Sequence, residues 1–309
     1  MPAMAMHALP QHVEPMLARL GAAFDSPAHL FEIKWDGVRA ITYVEAGSHR
    51  MHGRKRRDLA GRYPELAFLA GLPSGCVLDG ELVVLGPDGK PDFPAILARE
   101  NGSLARAASG ARRYPVVYIV FDLLYENGVS LLSLPLRERR ARLQQLVAAI
   151  GNGRLLASEG VVASGHAMFA VVLERGLEGM VCKRLDSPYL PGERTDAWQK
   201  VKLVQQVHCL ILGYEPAGAG DFKSLIIATD IGGELRCVGK VGSGIGEGER
   251  RQLWQRMGAV RVDRPLIDAG MTGVWVAPGL YCTVNFLEFT ANGSLRAPVF
   301  VALVKGDRE

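Results

Sequence analysis

The sequence offers little material for cross-links. Its five cysteines, Cys76, Cys182, Cys209, Cys237 and Cys282, are odd in number, widely spaced and form no CxxC pair. A disulfide framework and a structural zinc site are therefore not expected, and a reducing, cytoplasmic setting is. Long hydrophobic runs are also missing. The strongest, Pro115 to Phe121, is far shorter than the ~18 residues of a membrane helix, so no membrane partner is expected. The opening MPAMAMHALPQHVEP has neither a basic start nor an apolar stretch, and it does not read as a secretory signal. There is no GxxxxGK[ST], and the glycines of 242–248 lack GxGxxG spacing. No repeat of 20–50 residues is visible.

What is present is an ordinary globular composition over 309 residues, enough for two domains. The net charge is only +4, but the whole excess falls in residues 1–203; residues 204–309 are balanced. Arg50, Arg54, Lys55, Arg56, Arg57 and Arg62 crowd around one acid, Asp58, and Arg99, Arg106, Arg112 and Arg113 make a second basic patch. Concentrated positive charge suits a polyphosphate or a nucleic-acid backbone, although a solvated surface has the same pattern.

Strand-like runs punctuated by Gly, Pro and Asp recur at HLFEI before Lys34, at 38–44, 76–85 and 115–124, then at GMVCKRL and AWQKVKL. Residues 136–150 predict a helix between Pro135 and Gly151, with Leu136, Leu143, Leu146, Val147 and Ile150 on one face. A second helix is expected from about His166 to Arg175, capped by Ser164 and stopped at Gly176. Beyond Leu203 short strands alternate with glycine-rich turns around one helix, about Glu247 to Met257, which suggests a small β-barrel. The boundary is placed at 203/204.

Five segments carry candidate chemistry. In Glu32-Ile33-Lys34-Trp35-Asp36-Gly37-Val38-Arg39 a lysine ends an apolar strand ahead of a DG turn. A lysine set among cations, or desolvated, loses its proton more readily and can attack; an exposed lysine on a plain hairpin has the same sequence. In Leu78-Asp79-Gly80-Glu81-Leu82 two acids share one face of a strand and need partners or water. Phe121 closes a buried strand, where it could stack on a base or fill the core. Glu178-Gly179-Met180-Val181-Cys182-Lys183 is the fourth, with Cys182 read as a small core residue. In Trp198-Gln199-Lys200-Val201-Lys202 two lysines face one side, and a phosphate is the natural occupant between them. His49 and His52 lack a third ligand and read as solvated or phosphate-contacting rather than metal-binding.

Taken in order, KWDGVR, LDGEL, FDLLY, EGMVCK and WQKVK resemble the motifs of the covalent nucleotidyltransferases: ATP-dependent DNA ligases, RNA ligases and mRNA capping enzymes. The flanks VEPMLARL, RYPEL, GKPDFPAIL and YLPGERTDAWQKVK narrow the resemblance to the ligase domain of bacterial ligase D and the stand-alone ligase C, over about residues 13–308. The resemblance implies an α+β fold: a nucleotidyltransferase (ATP-grasp-like adenylation) domain at 1–203, with antiparallel sheets and flanking helices, then a small OB-fold barrel at 204–309. It implies an ATP-dependent DNA ligase that seals 5′-phosphate/3′-hydroxyl nicks in duplex DNA, in break repair, through AMP carried on Lys34. An RNA ligase, a capping-type enzyme and a non-catalytic nick-binding clamp are the alternatives.

By the same resemblance Glu32 lies beside the adenine, Phe121 stacks on it and Glu81 contacts the ribose. Glu178, helped by Asp36, supports Mg²⁺ or Mn²⁺; Lys200 and Lys202 hold the α-phosphate; Arg39, Arg54 and Arg194 contact phosphate. Lys183 is a weaker candidate for phosphate. A Ku-type end-binding protein or a repair polymerase is a candidate partner, and a nucleoid-associated monomer is expected. Two departures stand out. Gly53-Arg54-Lys55-Arg56 replaces the usual Ser-Arg-Asn-Gly, so Arg54, Lys55, Arg56 and Arg57 are expected to bind DNA in a salt-sensitive way. The ending Lys305-Gly306-Asp307-Arg308 carries Lys where Arg is usual, which weakens its expected role in orienting pyrophosphate.

Overall fold

The computed structural model describes residues 8–218, 220–290 and 292–304, and the backbone but not the side chain of Lys55. The chain divides into two compact units between Leu203 and Val204. The strands of the first unit, in order, are β1 (Leu17–Leu20), β2 (Ser26–Ile33), β3 (Val38–Glu45), β4 (Ser48–His52), β5 (Cys76–Val84), β6 (Val116–Glu126), β7 (Val129–Ser130), β8 (Leu155–Ala157), β9 (Gly160–Ala163), β10 (Gly179–Arg184) and β11 (Arg194–Lys202). Its helices are α1 (Phe93–Asn101), α2 (Ala107–Arg113), α3 (Leu136–Ile150) and α4 (Gly165–Glu174).

These strands make two sheets. One runs β1-β11-β10-β2-β9, the other β4-β3-β5-β6-β7 with β8 beside β6. Pairing is antiparallel except for β1 with β11 and β6 with β8. The second sheet is apolar on both faces, because both are covered. Ala40, Val44, Leu78, Leu82, Tyr118 and Val120 pack toward Leu143 of α3 and Ile96 of α1. Ile41, Tyr43, Val77, Phe121 and Leu124 pack toward Trp198, Tyr189 and Met16. On the first sheet Phe31, Met180, Cys182 and Val201 pack with Val172 of α4.

α3 ends as its sequence predicts: Gly151 takes φ 58° and its N–H caps the carbonyl of Val147. α4 starts where expected, but Ser164 makes no side-chain cap. The role passes to Asp25, whose Oδ1 accepts from the N–H of His166 at 2.9 Å. α1 and α2 were not foreseen; they are short, and α1 opens on an Asp92 cap followed by proline.

In the second unit β12 (Gln205–Pro216), β13 (Phe222–Ile231), β14 (Glu234–Val241), β15 (Arg261–Val262), β16 (Val274–Val276), β17 (Tyr281–Phe286) and β18 (Val299–Leu303) surround a core that α5 (Glu247–Ala259) enters with Leu253 and Met257. The long β12 pairs with β17 along its first half and β16 along its second, on the side away from β13. A bridge from Ser243, just past β14, to Val299 of β18 joins the ends of the sheet. This is an OB-type barrel.

Candidate active site

Three neighbouring strand ends build the centre of the first unit. Lys34 is one residue past β2, Glu178 one residue before β10, and Lys202 the last residue of β11. The Lys34 N–H donates to the carbonyl of Gly179 at 2.9 Å and that of Leu203 to the carbonyl of Glu178 at 3.0 Å, so the register aligns all three. Two glycines permit close approaches here, one at this strand junction and one in the turn after Lys34. A Cβ on Gly179 would lie 2.1 Å from the Val201 carbonyl oxygen, and one on Gly37 would lie 2.2 Å from that of Leu82.

Glu178 receives both lysines. Lys34 Nζ donates to its Oε2, and Lys202 Nζ lies 3.0 Å from its Oε1. Burial opposes the charge, but the two ammonium groups outweigh it and hold Glu178 below the usual carboxylate range. Lys200 sits beside this pair without an acid of its own among the described residues. Burial, then the charges of Lys202, Arg194, Lys34 and Arg54, push it below the usual lysine range. The cluster is therefore electropositive and open to an anion.

Next to it lies a pocket of about 460 Å³, lined by Glu32, Lys34, Trp35, Arg39, Arg54, Glu81, Phe121, Ser158, Lys183, Arg194, Trp198 and Lys200, with Glu14, Pro15, Leu17 and Ala18 among the rest of its wall. Most of the expected site residues thus converge. Arg194 donates to the carbonyl of Ala18, which fixes it on the rim. Arg39 grips the fully buried Asp79 at both oxygens, 2.7 and 2.5 Å, and Tyr189 donates to Asp79 at 2.7 Å. Its guanidinium lies 4.8 Å from the Phe121 ring centroid. Asp79 and Glu81 share one face of β5, as the alternation requires, yet their fates differ. Asp79 is spent on Arg39, whereas Glu81 has no hydrogen-bond partner among the described residues.

Burial drives Glu81 up to about 7, although Arg39, Lys34 and Arg54 oppose it. The folded state therefore binds this proton more tightly than the unfolded chain. The resulting stabilisation is complete below pH 4.5 and is lost as pH rises through about 7. In urea unfolding across pH 4–8, Glu81→Gln should gain on wild type as the pH climbs. Parallel pH profiles for the two proteins would refute this.

The pocket has a charged floor, in which Glu32 and Lys183, both named from the sequence, join arginines that the sequence reading did not single out. Glu32, 1% exposed, is ion-paired with Lys183 at 2.5 Å and Arg140 at 2.5 Å. Lys183 also stands 4.1 Å from the Phe121 centroid and 4.5 Å from that of Trp198. Burial lowers its proton affinity, with Glu32 and Asp122 opposing. Arg140 and Arg139 come from adjacent positions of α3; Arg140 reaches Glu32 and the carbonyl of Ser158, and Arg139 forms a two-bond pair with Asp122 at 2.7 and 2.8 Å. No motif marked these arginines, and only their position on a helix against apolar strands could have. Glu32 and Phe121 are thus held rigidly before any ligand arrives.

Other expected residues lie apart. Asp36 is half-buried in the turn after Lys34 and does not line the pocket, and no group of three metal-ligating side chains gathers among the described residues. Arg56 takes φ 60°, a conformation in which glycine is at ease, and its guanidinium lies 3.3 Å from Glu14. Arg57 is tied to Glu100 at 2.6 Å. The Lys55 side chain and Lys305, Asp307 and Arg308 lie outside the described residues.

Residues 11–202 match the family described as ATP dependent DNA ligase domain, and residues 218–306 match ATP dependent DNA ligase C terminal region. The chain is 33% identical over 308 residues to the multifunctional non-homologous end joining protein LigD of Pseudomonas aeruginosa, which covers 96% of the chain and 36% of that protein. It is also 33% identical over 203 residues to the SPbeta prophage-derived DNA ligase-like protein LigB of Bacillus subtilis, covering 65% of the chain and 72% of the relative. Among solved structures, mycobacterial DNA ligase D complexed with ATP and MES shares 31% identity at a TM-score of 0.58, covering 96% of each chain. The chain spans little more than a third of the length of the LigD proteins it matches.

Proposed function

The chain belongs to the ATP-dependent DNA ligases, and we propose that it seals 5′-phosphate/3′-hydroxyl nicks in duplex DNA through AMP carried on Lys34. The observation that carries this reading is the convergence of Lys34, Lys200, Arg54 and Arg194 on one pocket, with Lys202 and Glu178 beside it. In the first step Lys34 Nζ attacks the α-phosphorus of ATP. The N–P bond forms as the bond to the β-phosphate oxygen breaks, pyrophosphate leaves and the amine loses a proton. AMP then passes to the 5′-phosphate of the nick, and the 3′-hydroxyl displaces it as the new phosphodiester forms. Every step moves negative charge among phosphate oxygens, so fixed cations do most of the catalysis.

The residues divide this work. Lys200 and Lys202 would hold the α-phosphate and Arg54 and Arg194 the other phosphate oxygens, with Arg39, its fork held by Asp79, adding charge at the pocket wall. Glu32 and Phe121, braced by Lys183 and Arg140, would bound the adenine, with Glu81 at the ribose. Glu178 is of the right donor type for a hard divalent cation, although its two oxygens now receive Lys34 and Lys202, and Asp36, in the turn after Lys34, would be the second carboxylate. With no third protein donor gathered there among the described residues, Mg²⁺ or Mn²⁺ would take its remaining ligands from phosphate and water. When bound it would supply charge neutralisation at the phosphates.

Break repair is the setting suggested by the LigD relatives, whose names state non-homologous end joining, and a Ku-type protein or repair polymerase is the kind of partner that setting provides. No helix among the described residues is long and apolar enough to cross a membrane. The reading is tested by offering ATP or GTP with nicked DNA or nicked RNA. Sealing of nicked DNA with ATP, and on the order of 100-fold less product in the other combinations, is expected. Equal use of GTP or preference for nicked RNA would move the protein to a capping-type or RNA-ligase function.

A further inference from the structure

A second pocket, of about 400 Å³, opens on the same unit between the C-terminal end of α1 and α2, and the proposed catalytic steps make no use of it. It contains part of the second basic patch of the sequence, in a new arrangement. Arg99, which the patch included, is 6% exposed and spent: its guanidinium holds Glu65 at 2.6 and 3.1 Å and the carbonyls of Tyr114 and Arg62. It forms the base of the pocket. Gly110 lets α2 lie down on it, since a Cβ there would stand 2.8 Å from Arg99 Nε.

Above this base the charge is unspent. Arg62 donates only to main-chain carbonyls, those of Glu100 at 3.0 Å and Gly102 at 2.6 Å, which fix its direction and leave its charge uncompensated. Arg106 and Arg113 are exposed on the rim, and neither has an ion-pair partner among the described residues; Arg113 stacks 5.0 Å from the Tyr114 centroid. The lining contains no acid. The nearest carboxylate in sequence, Glu100, is directed elsewhere, to Arg57 at 2.6 Å and the Tyr63 hydroxyl at 3.1 Å. Three arginines with no acid make an anion seat of the forked type that suits phosphate oxygens.

The location selects the anion. Arg54 lines the nucleotide pocket, and three residues later Arg57 is bonded to both the side chain and the carbonyl of Glu100 in α1. The same carbonyl receives Arg62 of the second pocket. The stretch from Arg54 to Arg62, tied to α1 at Glu100, therefore connects the candidate active site to this seat. We propose that the Arg62, Arg106 and Arg113 pocket binds a backbone phosphate in one arm of the duplex, away from the nick, and so sets how much DNA on that side the protein needs. The inference rests on the nick-sealing function proposed above. Contact of this kind positions the duplex without reading its sequence.

The test uses the full chain and an Arg106→Gln/Arg113→Gln double variant. Lysine labelling by ATP is measured first; failure of the wild type to label would count against the ligase reading and leave DNA binding to be scored separately. Nick binding is then followed against salt on duplexes with two long arms, or with either arm cut short. On the long duplex the variant should bind more weakly, with a log–log salt slope shallower by about 1 for each phosphate that the two arginines neutralise in wild type. Shortening one particular arm should make wild type and variant alike. Equal slopes on the long duplex, or a difference that persists whichever arm is cut, would overturn the proposal. So would Arg106- and Arg113-dependent binding of an oligo-glutamate peptide with DNA binding unchanged, which would assign the seat to an acidic protein segment.

Discussion

Lys34→Ala incubated with α-labelled ATP and a divalent metal yields no label that survives denaturation, a loss on the order of 10³-fold or more against wild type. The amine is the atom that forms the new bond, and its neighbours are poorly placed to replace it. Lys202, unlike Lys34, does not line the pocket, and Lys200 lines it in the proposed role of a phosphate-holding cation. Lys34→Arg sharpens the test. It keeps a cation beside Glu178, so the fold and the local charge survive, but a guanidinium does not deprotonate to become a nucleophile. Both variants should fail to label under conditions in which wild type, first cleared of bound AMP with pyrophosphate, labels fully. Label in either at the wild-type level would transfer the nucleophile to Lys200 or Lys202 and remove the central assignment.

Asp122→Ala costs about 3–5 kcal/mol of stability, measured by urea unfolding, because it strands the Arg139 charge in the core. Both side chains are completely buried, and Arg139 has no route to water. The penalty belongs to the unpaired charge rather than to the pair itself. Replacing both residues with leucine should therefore cost less than the single change, moderated by the carbonyls of Leu134 and Ser187 that Arg139 now satisfies. Because Asp122 adjoins Phe121, the single variant should also loosen the proposed adenine wall and weaken ATP binding. A single variant as stable as wild type would mean that Arg139 finds another acid or water, and that α3 does not brace the site.

The two variants also mark what was legible in the sequence. Lys34, Glu178, Lys200 and Lys202 could be named because each lies in one of the ordered motifs, and strand reading was enough to end a strand at Lys34 and to put Lys200 and Lys202 on one face of another. Their mutual contacts could not be read: Lys34 and Glu178 are 144 positions apart, and only the register of β2, β10 and β11 joins them. Arg139 and Arg140 were invisible because a helix with alternating arginines and leucines normally turns its charges to water. Burying both depends on Asp122 and Glu32, which lie on different sheets. Arg99 was misread as surface charge for the same reason, its partner Glu65 being 34 residues away. Ser164 looked like a cap from its neighbours alone, but the chain brings Asp25 from another element into that position. The barrel was legible from its glycine-spaced strands, while the split of residues 274–286 into β16 and β17 was not.

The placement of β11 has a consequence for synthesis. β11 lies between β1 and β10, and it supplies Trp198 to the pocket wall and Lys200 and Lys202 to the cation cluster. A nascent chain that has emerged only as far as α4 therefore carries Lys34 with one sheet lacking two interior neighbours, and β1 with nothing to pair. The proposed nucleophile and the cations that would serve it meet only after about two hundred residues have left the ribosome. Translation order thus delays the chemistry until the first unit is complete, and a truncated product of arrested synthesis would hold the lysine but not the site.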